Sequence, residues 1–391
     1  MYDAIIVGAG PTGCFAAREL AGMGYSVLVL EEHAQIGEPV HCTGIISVEA
    51  CRRFDLDLDC VEAYLSSARF FSPNGQSFRV SSDKAQAVVV DRSRFDRGLA
   101  QEALTAGSSF LLGARVQELD VTDDAVIARA TSFGENLVFQ SSLVIVATGA
   151  DNSLVHHLRL GNAPTRWVLG AQLFAQSSDL DEVEVHLGQA TAPGGFAWAV
   201  PANGSGCRVG LVSYNRPAPL LKKFAHMLNR RGAICWSGEP IRSRPIPEGP
   251  RTPSFGDRIM VVGDAAGQVK STTSGGIYYG LLGAEAAVAV ADRSLRTGNC
   301  TAEKLSRYEE EWTARLGPEQ RTGRILRDIH RNLSDRDIEN LFWLVRRMGI
   351  PRLLSKLRFD WHTSGLISIL FQDMFGMTTR GLGKIAMKHV G

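Results

Sequence analysis

The sequence predicts a protein of mixed class, α/β in its first domain and α+β in its second, with a helical C-terminal region. Two short apolar runs near the N-terminus flank a glycine-rich turn and a helical pattern, which is typical of a strand–helix–strand unit in a parallel sheet. Apolar runs of the same kind return at 141–150 and 257–264, so the first domain is discontinuous. Between them the residues alternate in polarity, which favours a mixed or antiparallel β-sheet. The predicted boundaries are 1–50, 92–155 and 256–298 for the first domain, 51–91 and 156–255 for the second, and 299–391 for the helical region.

The composition excludes several classes of protein. The 391 residues carry a net charge of +1 and are 45% hydrophobic, so a globular protein is expected and no global field attracts nucleic acid. No basic leader precedes the first strand, and no apolar run reaches the roughly 18 residues that a spanning helix needs. The seven cysteines are scattered without metal-binding or disulfide spacing. We therefore expect a reduced, cytoplasmic protein without a metal site.

The N-terminal unit is predicted element by element. Ala4–Val7 is a continuous apolar run, as expected for a buried strand. A helical pattern follows from Cys14 to Met23, and Gly24 ends it. The run "SVLVLE" is the second strand, and its last residue is Glu31.

The turn inside this unit carries the spacing G-x-G-x-x-G, formed by Gly8, Gly10 and Gly13. The first glycine permits a tight turn, the second lets the backbone approach a pyrophosphate, and the third lets helix and strand pack closely. Free N–H groups at the helix N-terminus would bind the phosphates. Glu31 would accept hydrogen bonds from ribose hydroxyls. A purely structural glycine turn is the alternative, but the flanking strands and the terminal acid favour a Rossmann-like dinucleotide site.

The remaining elements follow the same periodicities. Ala68 to Val80 is predicted to be a hairpin with Asn74-Gly75 at its turn. In order, the other predicted elements are a helix from about Phe95, a buried strand within 141–150, several strands between Trp167 and Tyr214, a core strand within 257–264, and an alanine-rich helix from Gly276 to Arg293. Beyond Gly298 the pattern is almost wholly helical.

The position of the fingerprint favours FAD over NAD. The fingerprint stands at the N-terminus, and a second strand-and-turn, "IMVVGDAAG", occurs much later in the chain. In an NAD dehydrogenase this late turn would have no set task. The arrangement resembles flavoproteins of the glutathione-reductase type, in which the Asp of that turn binds the ribityl chain. That resemblance, and not the spacing itself, implies this role for Asp264.

Four segments together carry a specific resemblance. "IGEPVHCTGIIS", "DRSRFDRGLA", "PGGFAWAVP" and "GDAAGQVKSTTSGGIYYG" occur in this order, and they resemble the geranylgeranyl reductase family of flavoproteins, within the p-hydroxybenzoate-hydroxylase-like fold group. The resemblance runs from residue 1 to about residue 300, and more weakly into "MGIPRLLSKLRF". It implies a non-covalent FAD and the reduction of isolated double bonds in polyprenyl chains on lipids, pigment precursors or quinones. The implied reductant is NADPH or a ferredoxin.

The resemblance also implies a set of cofactor-binding residues. Cys42 matches the family's cysteine near the flavin ring, although Thr43 intervenes before Gly44 where some members have Cys-Gly directly. Arg92 matches an arginine that contacts FAD, with a surface ion pair as the alternative. The other predicted cofactor-binding positions are Thr43, Val116, Asp264, Gly276 and Ile277. For Cys42 the alternative is a small buried hydrophobe, which is also what we expect of Cys14, Cys51, Cys60, Cys207, Cys235 and Cys300.

An aromatic strand is the predicted substrate wall. The family motif P-x-x-Y-x-W-x-F-P is matched by Pro193, Phe196, Trp198, Val200 and Pro201, with Phe for Tyr and Val for Phe. Because residues i and i+2 of a strand face the same side, the two rings would line one wall of a cavity for an apolar chain. The alternative is that both rings are ordinary core. With Cys42, these two aromatics are the expected catalytic residues.

Other functions stay open from the sequence alone. The sequence Ala147-Thr148-Gly149 lacks the Asp that hydroxylases of this fold carry, which argues against a monooxygenase. A flavin-dependent halogenase, a lycopene-cyclase-like enzyme without net redox change, and a non-enzymatic flavin- or lipid-binding protein are the alternatives. No proton donor is assigned among Tyr278, Tyr279, His41 and an ordered water.

The C-terminal region suggests loose contact with a membrane. The segment from Pro351 to Phe375 mixes basic residues with Trp, Phe and Leu. On a helix, Leu353, Leu354, Leu357 and Trp361 would lie near one face, flanked by Arg352, Lys356 and Arg358. An amphipathic helix packed on the protein's own core is an equally good interpretation.

Overall fold

The computed structural model describes residues 1–158, 160, 166–177, 179–355 and 357–361. Its strands are β1 (Tyr2–Val7), β2 (Val27–Glu31), β3 (Ile45–Ser47), β4 (Val61–Leu65), β5 (Ser67–Phe71), β6 (Ser77–Ser81), β7 (Ala87–Val90), β8 (Ser109–Leu112), β9 (Ala114–Val121), β10 (Val126–Ser132), β11 (Glu135–Val146), β12 (Arg166–Gln176), β13 (Val183–His186), β14 (Phe196–Pro201), β15 (Gly206–Ser213), β16 (Arg242–Glu248), β17 (Phe255–Gly256) and β18 (Ile259–Val261). Its α-helices are α1 (Pro11–Gly22), α2 (Val48–Arg53), α3 (Arg92–Thr105), α4 (Ser153–His157), α5 (Pro217–Arg230), α6 (Ile277–Thr297), α7 (Ala302–Asn332), α8 (Asp335–Arg347) and α9 (Pro351–Leu354). These elements confirm the predicted mixture of α/β and α+β architecture.

The first sheet has eight strands and is parallel at its centre. Its order is β17–β18–β11–β1–β2–β8, with β10 pairing β11 and β9. β1 lies between β2 and β11, so that Ile5 stands opposite Leu28 on one side and Val144 on the other. All five residues of β2 are buried, as expected for a strand covered on both faces. The first sheet therefore combines strands that are far apart in the sequence.

The second sheet has seven strands in the order β16–β12–β15–β14–β13–β5–β6. Its pairs are antiparallel except for β13 with β5, so it is a mixed sheet. α5 packs on one face through Leu221, Phe224 and Leu228. The opposite face turns toward the first sheet and borders a large cavity. A small third sheet, β3–β7–β4, joins the two, and its Val88 and Val90 pack in the same core as α1 and α6.

Four predicted helices begin or end elsewhere. α1 begins at Pro11 rather than Cys14, and α6 ends at Thr297 rather than Arg293. α3 begins at Arg92 rather than near Phe95, because the Asp91 side chain accepts hydrogen bonds from the N–H groups of Ser93 and Arg94 and caps the helix three residues earlier. A helix across 351–361 was expected, but α9 ends at Leu354.

After α9, Trp361 packs against the protein's own core. The Trp361 ring lies 6.1 Å from the ring centroids of both Tyr278 and Tyr279, and its indole N–H donates to Glu49. The rest of the predicted membrane segment, Lys356 and 362–375, lies outside the described residues. Among the residues that are described, no helix is long and apolar enough to cross a membrane.

One expectation about the cysteines is wrong. Cys14, Cys51, Cys60, Cys207 and Cys300 are buried, but Cys235 is exposed. Cys235 pairs with Gln176 at a single β-bridge outside the main strands, at the end of the sheet where no further layer covers its side chain.

Candidate functional site

One cavity of about 1150 Å³ runs from the glycine turn of the first sheet to the open face of the second. Gly13 lies behind it, and every other predicted site residue lines it. These are Gly8, Gly10, Glu31, Cys42, Thr43, Arg92, Val116, Phe196, Trp198, Asp264, Gly276 and Ile277. The fold thus brings together residues that the sequence distributes over more than half of the chain.

Each of the three glycines in the turn is needed for a different physical reason. Gly8 has a φ of 107°, and a Cβ there would stand 2.5 Å from the carbonyl oxygen of Ala147. A Cβ on Gly13 would overlap the carbonyl oxygen of Gly8. A Cβ on Gly10 would meet no protein atom within 4 Å, and Gly10 lines the cavity. The first and third are required by the protein's own packing, whereas the second keeps open a groove that fits a dinucleotide pyrophosphate.

Glu31 is held at the end of β2 with little freedom. One carboxylate oxygen accepts from the Ala9 N–H at 2.7 Å, and the other accepts from the His33 N–H at 2.9 Å and lies 2.6 Å from His33 Nδ1. The residue is 8% exposed. A carboxylate has about four acceptor sites, so capacity remains for ribose hydroxyls.

Asp264 lies in a short 3₁₀ turn, Gly263–Ala266, directly after the late strand β18. A Cβ on Gly276, at the start of α6, would come within 2.5 Å of the Asp264 carboxylate, so the two segments are in close contact. Arg244 of β16 places a guanidinium nitrogen 3.5 Å from Asp264. The Arg244 guanidinium also lies against Gly149, where a Cβ would overlap it.

The sequence analysis missed Arg244 as a cavity residue. It comes from the second sheet and reaches across to the first, and no local pattern marks it. Its charge and position fit the anionic part of a dinucleotide.

Arg92 forms a buried ion pair rather than a surface one. Its Nε and one terminal nitrogen donate to the Asp96 carboxylate at 3.0 and 2.8 Å, one helical turn further along α3. Burial alone would lower the pKa of Arg92, but the Asp96 carboxylate and the Cys42 side chain outweigh it and raise that pKa. The Cys42 sulfur accepts from the Gly44 N–H at 3.4 Å. Cys42 and Arg92 are therefore neighbours on the cavity wall.

β14 divides its side chains between the cavity and the core. Phe196 and Trp198 line the cavity with their ring centroids 5.6 Å apart, whereas Ala197 and Ala199 are fully buried beneath α5. On the neighbouring strand β15, Gly210 pairs with Trp198, and a Cβ there would overlap the indole. The small residues leave room for α5 on one side and for the indole on the other. The two rings are therefore free to form the wall.

Arg327 is a second cavity residue that the sequence did not indicate. Its side chain is 4% exposed, and its guanidinium lies 6.0 Å from the Phe196 ring. Its Nε lies 3.3 Å from the Glu248 carboxylate, and another nitrogen donates to the Thr272 carbonyl at 3.1 Å. It belongs to α7, so the predicted helical region also contributes to the cavity.

Two of the three side chains considered as acids point away from the cavity. The Tyr278 hydroxyl donates to Glu49, and burial raises its pKa to about 12. The Tyr279 hydroxyl donates to the Asp360 carbonyl, and burial raises its pKa as well. His41 does line the cavity, where burial and the charges of Arg244 and Arg242 lower its pKa.

Comparisons with known proteins agree with this geometry. Residues 3–71 match a family described as FAD dependent oxidoreductase. Digeranylgeranylglycerophospholipid reductase 1 of Methanococcoides burtonii is 29% identical over 90% of this chain and 89% of that protein. The reductase of the same name from Methanothrix thermoacetophila is 28% identical over 90% of this chain and 93% of that protein.

The resemblance to the geranylgeranyl reductase family is confirmed.

Solved structures show how far this geranylgeranyl-reductase-like fold extends. A geranylgeranyl bacteriochlorophyll reductase-like protein from Thermoplasma acidophilum superimposes with a TM-score of 0.83 at 22% identity, covering 94% of this chain and 95% of that one. The flavin-dependent brominase Bmp2 reaches a TM-score of 0.70 at 17% identity, covering 97% of this chain and 99% of that one. At these identities both show the fold alone. The match to the FAD dependent oxidoreductase family supports the prediction of FAD as the cofactor.

Proposed function

We propose that this protein is an FAD-dependent reductase that saturates isolated double bonds in the polyprenyl chain of a lipid, a quinone or a pigment precursor. The observation that carries the proposal is the continuity of one cavity, from a groove that fits a dinucleotide to an apolar wall containing Phe196 and Trp198. The names of the curated relatives support the substrate class. The reductant in this proposal is NADPH or a ferredoxin.

The chain offers a complementary set of groups for FAD. Gly8 and Gly10 and the N-terminus of α1 would hold the pyrophosphate, and Glu31 would bind the adenosine ribose. Asp264 would bind the ribityl hydroxyls, and Val116 would border the adenine. Arg92 and Gly276 would complete the contacts, with Ile277 and the Cys42–Thr43 pair near the ring. When bound, FAD supplies a hydride from N5 of its reduced ring.

The protein's own residues bind and shield the alkene. Phe196 and Trp198 would bind the prenyl chain mainly by burying apolar surface, at about 25 cal/mol per Å². Water excluded by that wall cannot react with a cationic centre on the chain. The lowered pKa of His41 keeps its imidazole neutral near pH 7, so it is a poor proton donor there. Cys42, on the wall of the cavity, would lie beside the part of the prenyl chain that reacts.

A product analysis tests the proposed reaction. The purified, chemically reduced protein is incubated without oxygen with a geranylgeranyl-bearing lipid, and the product is weighed by mass spectrometry. A gain of two hydrogens per reduced bond is the expected result. Isomerisation without mass change would indicate a cyclase-like enzyme, and an unchanged lipid that remains bound would indicate a carrier. A parallel incubation with oxygen and halide tests the halogenase alternative, which predicts halide incorporation there.

The proposal includes peripheral contact with a lipid surface. α8 and its C-cap residue expose apolar side chains beside basic ones: Leu341, Leu344 and Met348 near one face, with Trp343, Arg346 and Arg347 around them. Such a face suits an interface with anionic lipids. The double substitution Trp343→Ser with Leu344→Ser should weaken the free energy of binding to liposomes by about 2–3 kcal/mol, which flotation would measure. Equal flotation of this folded variant and the parent would contradict membrane contact through α8.

A further inference from the structure

The turn that carries Cys42 and Thr43 has no regular structure of its own. Residues 38–44 lie between β2 and β3 and belong to neither a helix nor a strand. One backbone contact supports the end of the turn, where the Val90 N–H donates to the Gly44 carbonyl at 2.9 Å. Without a hydrogen-bonded ladder, the position of such a segment depends on side chains that reach it from elsewhere.

Arg208 reaches this turn from β15 of the second sheet. It is 4% exposed. One terminal nitrogen donates to the Thr43 carbonyl at 2.6 Å and to the Val90 carbonyl at 2.9 Å, and the other donates to the Glu62 carboxylate. Val90 ends β7, two residues before Arg92, the neighbour of Cys42. A single guanidinium thus joins the second sheet, the Cys42 turn and the segment that leads to Arg92.

Gln172 reaches the same turn from β12. It is 3% exposed, and its Oε1 accepts from the Thr43 hydroxyl at 2.6 Å. Its amide nitrogen donates to the Cys42 carbonyl at 3.4 Å. Both carbonyls of the Cys42–Thr43 pair are therefore bound by side chains of the sheet that forms the aromatic wall.

We propose that Arg208 and Gln172 are positioning residues that fix the Cys42–Thr43 turn against the second sheet. Neither residue belongs to the dinucleotide fingerprint; Arg208 lies outside the cavity lining, and Gln172 borders the cavity while both ends of its amide bind the turn. Together they would set the distance between the Cys42 thiol and the wall of Phe196 and Trp198. The importance of that distance for turnover rests on the proposed reductase function. The fixing of the turn itself does not, and it can be measured without a substrate.

Gln172→Leu is the first test, with Gln176→Leu as its matched control. Gln176 lies on the same strand but is exposed and accepts from the Ser205 hydroxyl, far from the turn. Both variants are made in a Cys235→Ser background, where Cys42 is the single cysteine that is not buried. We expect Gln172→Leu to speed alkylation of Cys42 about five-fold, the factor that one lost hydrogen bond of ordinary strength corresponds to. Gln176→Leu should keep the parental rate.

Comparing the rate of flavin reoxidation with substrate affinity distinguishes a positioning role from a general loss of structure. With a prenyl substrate, Gln172→Leu should slow flavin reoxidation in a single turnover about five-fold while leaving substrate affinity close to that of the parent. Thr43→Val removes the hydroxyl that Gln172 binds, so adding Gln172→Leu to it should cost only the longer bond to the Cys42 carbonyl, less than Gln172→Leu costs in the parent. Cys42→Ala, which cannot be alkylated at this site, gives the reoxidation rate expected without the thiol.

Arg208 is tested together with its ion-pair partner. Arg208→Met alone would leave the Glu62 carboxylate in place without its cation, which is a folding defect in itself. The paired change Arg208→Met with Glu62→Leu removes both charges. We expect it to keep FAD binding and to speed Cys42 alkylation more than Gln172→Leu does. If the paired variant unfolds, the Gln172 and Thr43 variants still decide the question.

The proposal is overturned if Gln172→Leu folds and binds FAD but Cys42 is alkylated at the parental rate. A parent that reduces no prenyl lipid but shows the alkylation effect would instead contradict the proposed function and leave the positioning role standing. Additive losses in the Thr43→Val and Gln172→Leu pair would contradict a shared route through the turn.

Discussion

The dinucleotide groove and the aromatic wall border the same cavity, but they are built from different parts of the chain. In the groove, main-chain atoms approach one another so closely that a Cβ on Gly8 or Gly13 would overlap a carbonyl. At the wall, the rings of Phe196 and Trp198 define the surface, and the main chain stands behind them. Where main-chain atoms form the boundary, any added side chain disrupts it. Where side chains form the boundary, substitutions can change the size of the cavity in small steps.

The largest effect should come from Gly13→Ala. The new methyl group would overlap the Gly8 carbonyl, so we expect the free energy of unfolding to fall by about 3 kcal/mol even without FAD. Gly22→Ala is the control, because it lies at the end of the same helix with open space around it. Chemical denaturation of the FAD-free proteins measures both changes. A Gly13→Ala variant as stable as Gly22→Ala would show that the groove is less tightly closed than the structure indicates.

Gly10→Ala sharpens the same test. Its methyl group meets no protein atom, so the FAD-free variant should unfold like the parent, but FAD should bind more weakly because the methyl group occupies the groove. Isothermal titration of the FAD-free protein separates the two glycines.

The next effect concerns a side chain within the groove. Asp264→Ala should weaken FAD binding by about 1.5–3 kcal/mol, because it removes a charged acceptor for the ribityl hydroxyls. Asp257→Ala is the control, since that carboxylate is exposed and binds the Ala302 N–H at the far end of the sheet. Flavin fluorescence quenching gives both dissociation constants. Equal affinities for the two variants would remove Asp264 from the cofactor site.

The wall should respond more gradually. Trp198→Ala should cost about 1.5 kcal/mol of substrate binding if the prenyl chain loses about 60 Å² of apolar contact, and the loss should grow with prenyl length. FAD content should stay near normal. Ala199→Leu, on the opposite side of β14, should instead lower stability by crowding α5 and leave substrate affinity intact. The reverse outcome would show that Trp198 belongs to the core and not to the wall.

The smallest effect is a loss of stability in mild acid. Burial lowers the pKa of His186, of His330 and, together with Arg244 and Arg242, of His41. In the unfolded chain these groups take up protons near pH 6.5, before the folded protein does, so stability is complete above that pH and declines below it. The denaturation midpoint should therefore be lower at about pH 5.5 than at about pH 7.5. His186→Phe should remove part of the decline, and a constant midpoint for the parent would contradict the lowered values.

The sequence predicts the groove better than it predicts the rest of the cavity. The steric need for Gly8 and Gly13, and the position of Glu31, arise within a single strand–helix–strand unit, so a local pattern is enough. The division of β14 into ring and alanine faces follows from the period of a strand. The early start of α3 could also have been found, because Asp91 is a good N-cap residue.

The cationic residues around the cavity could not be predicted in the same way. Arg208 binds Thr43, Arg244 approaches Asp264, and Arg327 borders Phe196, and none of these contacts falls within one local element. Arginine side chains on strands and helices are usually solvent-exposed, so their sequence positions alone favour the surface. The burial of Arg208 and Arg327, and the approach of Arg244 to Asp264, depend on how the two sheets and α7 pack together, which cannot be deduced from any single segment.

The place of β18 in the first sheet has a consequence for how this protein is made. β1 and β2 leave the ribosome first, but β18 and Asp264 follow only after the whole second sheet has been synthesised. A nascent chain therefore exposes an incomplete parallel sheet, with an unpaired edge on β11, while residues 147–258 are being synthesised. We expect such chains to need a chaperone or slow release more than a protein whose nucleotide unit is contiguous. Flavin supplied during synthesis would find its full set of contacts only near the end.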